Sequence, residues 1–206
     1  MGIVTVSRQY GAGGRRVASE LAAALGFRLV DRELAEEAAR RLGVDPEVAE
    51  SRDERAPAVI EEIGLALAAA STGLGDFPSP EVDDRRLAEA TRRVILSLAD
   101  AGGYVVLGRG AQAALAGRAD ACHIFLVGDI HDRIRRIMNS QHVDEPEAAA
   151  RCTRMDAERA GYVRRFYGAH IADPLLYDCV LNTSRLGLEG AVEIALAVAR
   201  RKLGLR

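Results

Sequence analysis

Residues 3–18 bring together an apolar run (Ile3-Val4-Thr5-Val6), a glycine-rich stretch (Gly11-Ala12-Gly13-Gly14) and the arginines Arg8, Arg15 and Arg16. The chemistry this combination suits is anion binding. Successive backbone N–H groups in a glycine-rich turn converge on one anion. A helix that follows adds unpaired N–H groups and the positive end of its dipole. Glycine allows positive φ and a close approach of backbone to phosphate. The usual phosphate-loop pattern is G-x-x-x-x-G-K-[ST], whose lysine reaches the β- and γ-phosphates and whose hydroxyl holds Mg²⁺. Aligned on Gly13, this chain has Arg8 at the first glycine slot, Gly14 at the lysine slot and Arg15 at the hydroxyl slot. The G-x-G-x-x-G alternative fails, because Gly11-x-Gly13 is followed by Arg16. Two readings stay open: a phosphate loop with its cation supplied from elsewhere, or a tight strand-to-helix turn with no ligand. On the first, the phosphate-contacting candidates are Arg8, Tyr10, Gly11, Ala12, Gly13, Gly14, Arg15 and Arg16. Arg15 and Arg16 rank first, since they fall in the first helical turn. Arg8 has an alternative, pairing with an acidic residue near the loop.

A second cationic group lies at Arg151, Arg154, Arg159, Arg164 and Arg165, interleaved with Asp156 and Glu158. Its plain reading is a solvated helix face, with Arg154 and Glu158 as an i,i+4 pair worth a few tenths of a kcal/mol. The segment uses Arg to the exclusion of Lys, and the planar guanidinium fork suits bidentate contact with phosphate. Phosphoryl transfer needs cations around the equatorial oxygens and little else from the protein.

The elements that would position these groups follow from hydrophobic periodicity. Short apolar strands are expected at Ile3–Val6, Phe27–Val30, Tyr104–Leu107, His123–Val127 and Cys179–Leu181. Helices are expected at Arg15–Leu25 with a stop at Gly26, then at 32–42, 46–53, 57–70 and 81–100. Further helical segments are expected at Gln112–Leu115, from Asp129 or Asp132 to Gln141, from Pro146 to Tyr167, and at Leu188–Leu203. Residues 71–80 read as a loop. Strands alternating with helices predict an α/β fold with a parallel sheet covered on both faces. Ligands in such folds sit outside the carboxyl ends of the strands. Those ends carry Ser7–Gly14, Asp31, Gly108-Arg109-Gly110, Gly128-Asp129 and Asn182-Thr183.

The chain has 206 residues, 49% of them apolar, enough for one α/β domain with a sizeable core. Aromatics are 4% and Trp is absent, so that core must be built from Ala, Leu, Val and Ile. A net charge of −2 argues against general nucleic-acid binding. Cys122, Cys152 and Cys179 are widely spaced and form no C-x-x-C, which fits a reducing cytoplasm. The N-terminal apolar run ends at Ser7-Arg8, too short for a secretory signal. No apolar stretch approaches the ~18–20 residues of a membrane span. His123 reads as a core residue. His131, His142 and His170 lack ligand spacing, so no metal site is expected from them. Tyr162, Phe166 and Tyr167 read as packing residues.

Taken in order, Ser7–Arg15, Asp31-Arg32-Glu33-Leu34, Gly108-Arg109-Gly110-Ala111, Asp156–Tyr162 and Tyr177–Thr183 resemble the cytidylate kinase-like family. That family is similar to bacterial cytidylate kinases among the nucleoside monophosphate kinases. The resemblance spans nearly the whole chain and is weakest across 44–86. It implies a three-layer P-loop kinase fold: a five-stranded parallel sheet with helices on both faces, a helical insert and acceptor-binding region at 44–100, and an Arg-rich lid at about 142–170. All of this would form one domain, 1–206. It implies ATP as phosphoryl donor and Mg²⁺ held through phosphates and water, with no protein metal ligand. The acceptor would be a small nucleotide, CMP or dCMP, bound by Asp31, Arg32 and Arg109. Arg154, Asp156 and Arg159 would serve catalysis, the Asp-x-x-Arg pair matching Asp156 and Arg159. The chain departs from cytidylate kinases at Gly110, where they carry Asp, and at Gly14 and Arg15. Two alternatives therefore stand beside the kinase: a nucleotide-binding regulatory protein with little catalysis, and a kinase of a non-nucleotide small molecule.

Overall fold

The first strand, β1 (Ile3–Arg8), explains the sheet around it. Its residues Ile3, Val4 and Val6 are fully buried, which requires neighbours on both edges and cover on both faces. A computed structural model describing residues 2–31 and 80–205 supplies both. The strands β2 (Arg28–Val30), β3 (Tyr104–Leu107), β4 (Ala121–Val127) and β5 (Cys179–Asn182) join β1 in the order β2-β3-β1-β4-β5. All pairs are parallel, with Ile3 opposite both Tyr104 and Ala121. The expected five-stranded parallel sheet is present. β1 runs to Arg8 rather than stopping at Val6, because Ser7 and Arg8 continue the pairing with Phe125 and Leu126.

Period-2 alternation sends side chains to two separate cores. Val4, Val6, Val105, Ile124 and Leu126 pack with helices α1 (Gly14–Leu25) and α6 (Thr183–Leu203). On α6, Ala191, Ala195 and Ala199 recur every fourth residue and are fully buried, so the small side chains let the helix lie close to the sheet. Ile3, Tyr104 and Val106 pack on the other face against helices α2 (Pro80–Ala101) and α3 (Ala111–Ala114), through Val94, Ile95, Leu98 and Ala111. Helices α4 (Ile130–Gln141) and α5 (Glu145–Tyr167) form a third cluster, in which Ile134 and Ile137 meet Ala148 and Cys152. The αL conformation of Gly26 ends α1 where the sequence places the stop. Asp129 caps α4, accepting the His131 N–H at 2.9 Å, while Asp132 lies in the first turn.

One helix begins earlier than expected. α6 starts at Thr183, not Leu188, because the Asn182 side chain accepts N–H bonds from Ser184 and Arg185. Gly187, at φ 71 and ψ 173, then breaks the helical geometry inside it. The expected helices at 32–42, 46–53 and 57–70, and most of the 71–80 loop, lie outside the described residues. Among the described residues, no helix is long and apolar enough to cross a membrane.

His123 is in the core, as its strand position implies, and its Nδ1 is 2.8 Å from Thr5 Oγ1. Burial holds its imidazole below the ordinary value of 6.5, against an opposing pull from Asp178. A folded-state value lower than the unfolded one makes this contribution to stability complete above pH 6.5 and lost as pH falls through the folded value. The melting temperature should therefore fall between pH 7 and pH 5, and a His123→Gln variant should show a shallower fall. Melts of both proteins across that range check it. Parallel slopes would remove His123 from the account.

Candidate functional site

The glycine-rich segment connects β1 to α1 at the carboxyl edge of the sheet. Gly11 and Gly13 have φ of 77° and 79°. A Cβ on Gly11 would lie 2.6 Å from the Arg133 carbonyl, so the loop passes against α4 at a distance only glycine allows. Gly13 precedes α1, and no side chain caps that helix. The first helical bond runs from Val17 N–H to the Gly13 carbonyl. The N–H groups of Gly14, Arg15 and Arg16 thus head the helix without intrahelical acceptors.

Three guanidinium groups hold the outer side of this loop. Arg159 Nη1 donates to the Arg8 carbonyl at 3.1 Å. Arg133 Nη1 donates to the Tyr10 carbonyl at 3.0 Å. Arg136 Nη1 donates to the Gly11 carbonyl at 3.2 Å and to Thr183 Oγ1 at 3.1 Å. Asp156 closes the arrangement: its carboxylate accepts the Tyr10 N–H at 2.7 Å and Arg133 Nη1 at 2.7 Å. The Arg133 side chain is 8% exposed and that of Asp156 28%, so the pair is part-buried, with its cation in the interior. Tyr10 fastens the loop further. Its ring packs on the α4–α5 cluster, its hydroxyl accepts from Gln141 Nε2 at 2.6 Å, and Arg159 lies 5.3 Å from its ring centre.

Beside the loop opens a cleft of about 230 Å³, lined among others by Ser7, Arg8, Arg109, Gln112, Arg159 and Tyr162. α5 supplies one wall through Met155, Glu158, Arg159, Tyr162 and Val163, whose three-and-four spacing puts them on one helix face. Arg109 has a positive φ of 57°, between Gly108 and Gly110, and its guanidinium lies 5.2 Å from the Tyr162 ring centre. Gln112 is 1% exposed. Its Oε1 accepts from Ser7 Oγ at 2.9 Å, and among the described residues its buried Nε2 has no acceptor.

The expected site residues separate into groups. Arg8, Arg109 and Arg159 meet in the cleft. Asp156 faces the loop and holds it. Tyr10 and Ala12 are turned into packing, Ala12 being fully buried. Arg15 extends outward with an 80% exposed side chain, its Nη2 3.5 Å from the Asp31 carboxylate. Arg16 pairs with Glu20 at 2.7 Å and Glu189 at 2.6 Å on the outer flank, and both partners raise its pKa. Arg154 is 60% exposed, with Glu158 3.9 Å away. Arg32 lies outside the described residues. Sequence reasoning missed Arg133, Arg136 and Gln112, and it placed Ser7 at a strand end on the ligand side without giving it a role. Of these, Gln112 and Ser7 carried a readable signal: polar residues inside or beside segments otherwise apolar.

Residues 3–185 match the sequence profile of the cytidylate kinase-like family. A cytidylate kinase of Ignicoccus hospitalis is 29% identical over 198 residues, which is 94% of this chain and 96% of that protein. A cytidylate kinase of Sulfolobus acidocaldarius is 33% identical over 79 residues, 38% of this chain and 43% of that one, so this match spans less than half of the relative. Among solved structures, an uncharacterized protein from Eubacterium ventriosum superposes with a TM-score of 0.73 at 20% identity, covering 97% of this chain and 98% of that one. A gluconokinase from Sinorhizobium meliloti superposes with a TM-score of 0.53 at 16% identity, over 98% and 94%. The chain belongs to the cytidylate kinase-like family, and its architecture is that of the P-loop kinases.

The burial of the Arg133 guanidinium beside Asp156 gives an expected outcome. Asp156→Ala leaves a buried guanidinium and the Tyr10 N–H without their carboxylate, and should destabilise the protein by about 2–4 kcal/mol. Arg154→Ala, at an exposed pair, should change stability by about 0.5 kcal/mol or less. Urea unfolding of both variants measures this. Equal effects would show that the carboxylate does not hold the loop.

Proposed function

We propose that this chain transfers the γ-phosphoryl group of ATP to a small acceptor held in the cleft beside the glycine-rich loop, with CMP and dCMP the first acceptors to test. The observation that carries this reading is the convergence of Arg8, Arg109 and Arg159 in one cleft, with the Arg8 stem lying against Gly14 at the start of α1. A transferring phosphoryl group spreads negative charge over its equatorial oxygens, and fixed guanidinium groups stabilise that charge without moving at the moment of reaction. The N–H groups at the start of α1 would hold the donor phosphates. Arg109 would hold the acceptor phosphate, and the family resemblance assigns Asp31 and Arg32 to the same acceptor. Arg159 would face the transferring group, and Asp156 would act through the loop as a positioning residue. The α4–α5 pair, including residues 142–170, would serve as the lid region of a single domain.

Mg²⁺ belongs to this chemistry as part of the ATP complex. Arg15 stands where a metal-ligating hydroxyl is usual, and a guanidinium has donors only. Among the described residues, no group of three His, Cys, Asp or Glu side chains could hold a metal ion. Direct coordination at the hydroxyl slot does not fit these residues, so the ion would be held by phosphates and water.

One observation favours a non-nucleotide acceptor as a second reading. A Cβ on Gly110 would lie 2.5 Å from Tyr167 Cε2, and the Tyr167 hydroxyl donates to the Arg109 carbonyl at 3.4 Å. Tyr167 thus occupies the side-chain space above Gly110, the position where cytidylate kinases carry Asp.

A coupled assay with ATP and a panel of nucleoside monophosphates and phosphorylatable small molecules separates the readings. Turnover with CMP or dCMP supports the first, and turnover with a non-nucleotide alone supports the second. ATP binding without turnover on any acceptor contradicts both and leaves the regulatory alternative. With the active acceptor, Arg109→Ala should lower kcat/KM about 10–100-fold, the worth of one charge-assisted contact. An unchanged value would take Arg109 out of the acceptor site.

A further inference from the structure

We infer that Arg8 stands in for the missing loop lysine, and that Gly14 is glycine so that the Arg8 side chain can cross it. Relative to the usual phosphate-loop pattern, glycine and cation have exchanged places: the first slot holds Arg8 and the lysine slot holds Gly14. The path of the Arg8 side chain makes the exchange a linked one. A Cβ built on Gly14 would lie 2.7 Å from Arg8 Cγ, 3.1 Å from its Cβ and 3.2 Å from its Cδ. Those are the atoms of the stem nearest the backbone, which cannot step aside as the tip of a side chain can. Arg8 therefore runs directly over the lysine slot. Beyond it, the guanidinium reaches Gly108, where any Cβ would collide with Arg8 Nη1. Arg8 then lines the cleft together with Arg109 and Arg159.

Its root is fixed at both levels. The backbone of Arg8 is in register with Leu126 in the sheet, and its carbonyl accepts from Arg159 Nη1. Arg15 and Arg16 are the obvious rivals by sequence position, but both point outward, Arg15 toward Asp31 and Arg16 toward Glu20 and Glu189. A guanidinium that starts at the end of β1, crosses the head of α1 and ends in the cleft can reach β- and γ-phosphates seated on the α1 N–H groups. A lysine at residue 14 would approach the same place from the helix side.

This inference rests on the reading that the loop binds ATP, and the experiment keeps the two apart. ATP and AMP binding would be measured by calorimetry for the full chain and for the variants Arg8→Gly, Gly14→Lys and the double variant Arg8→Gly/Gly14→Lys. If the unaltered chain binds no ATP, the loop reading itself fails and the inference with it. If it binds, Arg8→Gly should weaken ATP about 10–100-fold while changing AMP less than about 2-fold, since AMP lacks the distal phosphates. Gly14→Lys alone should also weaken ATP at least about 10-fold, because its side chain competes with Arg8 for one space. The double variant, which restores the usual order of glycine and lysine, should recover to within about 5-fold of the original. Arg8→Gln keeps the stem and removes the charge, and carries the same ATP-selective expectation if the glycine variant does not fold. Equal losses for ATP and AMP, or a double variant as weak as the product of the single losses, would overturn the inference.

Discussion

The site depends on one carboxylate. Asp156 takes the Tyr10 N–H with one oxygen and the buried Arg133 guanidinium with the other. In doing so it joins the glycine-rich loop, α4 and α5 into a single unit. Arg133 in turn reaches the Tyr10 and Gly128 carbonyls, so the same cation also fastens the end of β4. A loop rich in glycine has many conformations to lose on folding. Here the loss is offset by guanidinium contacts that fix the Arg8, Tyr10 and Gly11 carbonyls.

This arrangement gives α5 two jobs on adjacent faces. Asp156 and Arg159 hold the loop, while Met155, Glu158, Tyr162 and Val163 line the cleft. Arg159 belongs to both faces, since it binds the Arg8 carbonyl, lies over the Tyr10 ring and also lines the cleft. Movement of α5 relative to the sheet would therefore alter loop and cleft together. An exposed arginine such as Arg154 has no such reach, although its residue type and neighbourhood in the sequence are the same.

The sheet was legible in the sequence because its strands are short runs of Val, Ile and Leu bounded by glycine or charge, and parallel strands buried on both faces leave that mark. The loop was legible from glycine spacing, and Arg109 from its place after a strand and from the family resemblance. The clamp was not. Arg133 and Arg136 sit in a helix rich in arginine, and the loop carbonyls they bind are more than a hundred residues away. Local charge pattern cannot distinguish a guanidinium that pairs with water from one that finds a distant carbonyl. The path of Arg8 was hidden for a related reason. Ranking cations by their place in the first helical turn favours Arg15 and Arg16, whereas side-chain direction sends both outward. Gly110 stands out in the sequence as a departure, but the Tyr167 ring that a Cβ there would meet lies at the end of α5 and shows only once that helix is placed.

A structure of the full chain with Mg²⁺ and a non-hydrolysable ATP analogue tests the central claim most directly. The account predicts the distal phosphates on the N–H groups of Gly14, Arg15 and Arg16, with the Arg8 guanidinium within hydrogen-bond distance of a β- or γ-oxygen and Asp156 still on Tyr10. Distal phosphates held by the Arg15 or Arg16 side chains, with Arg8 turned away from them, would contradict it.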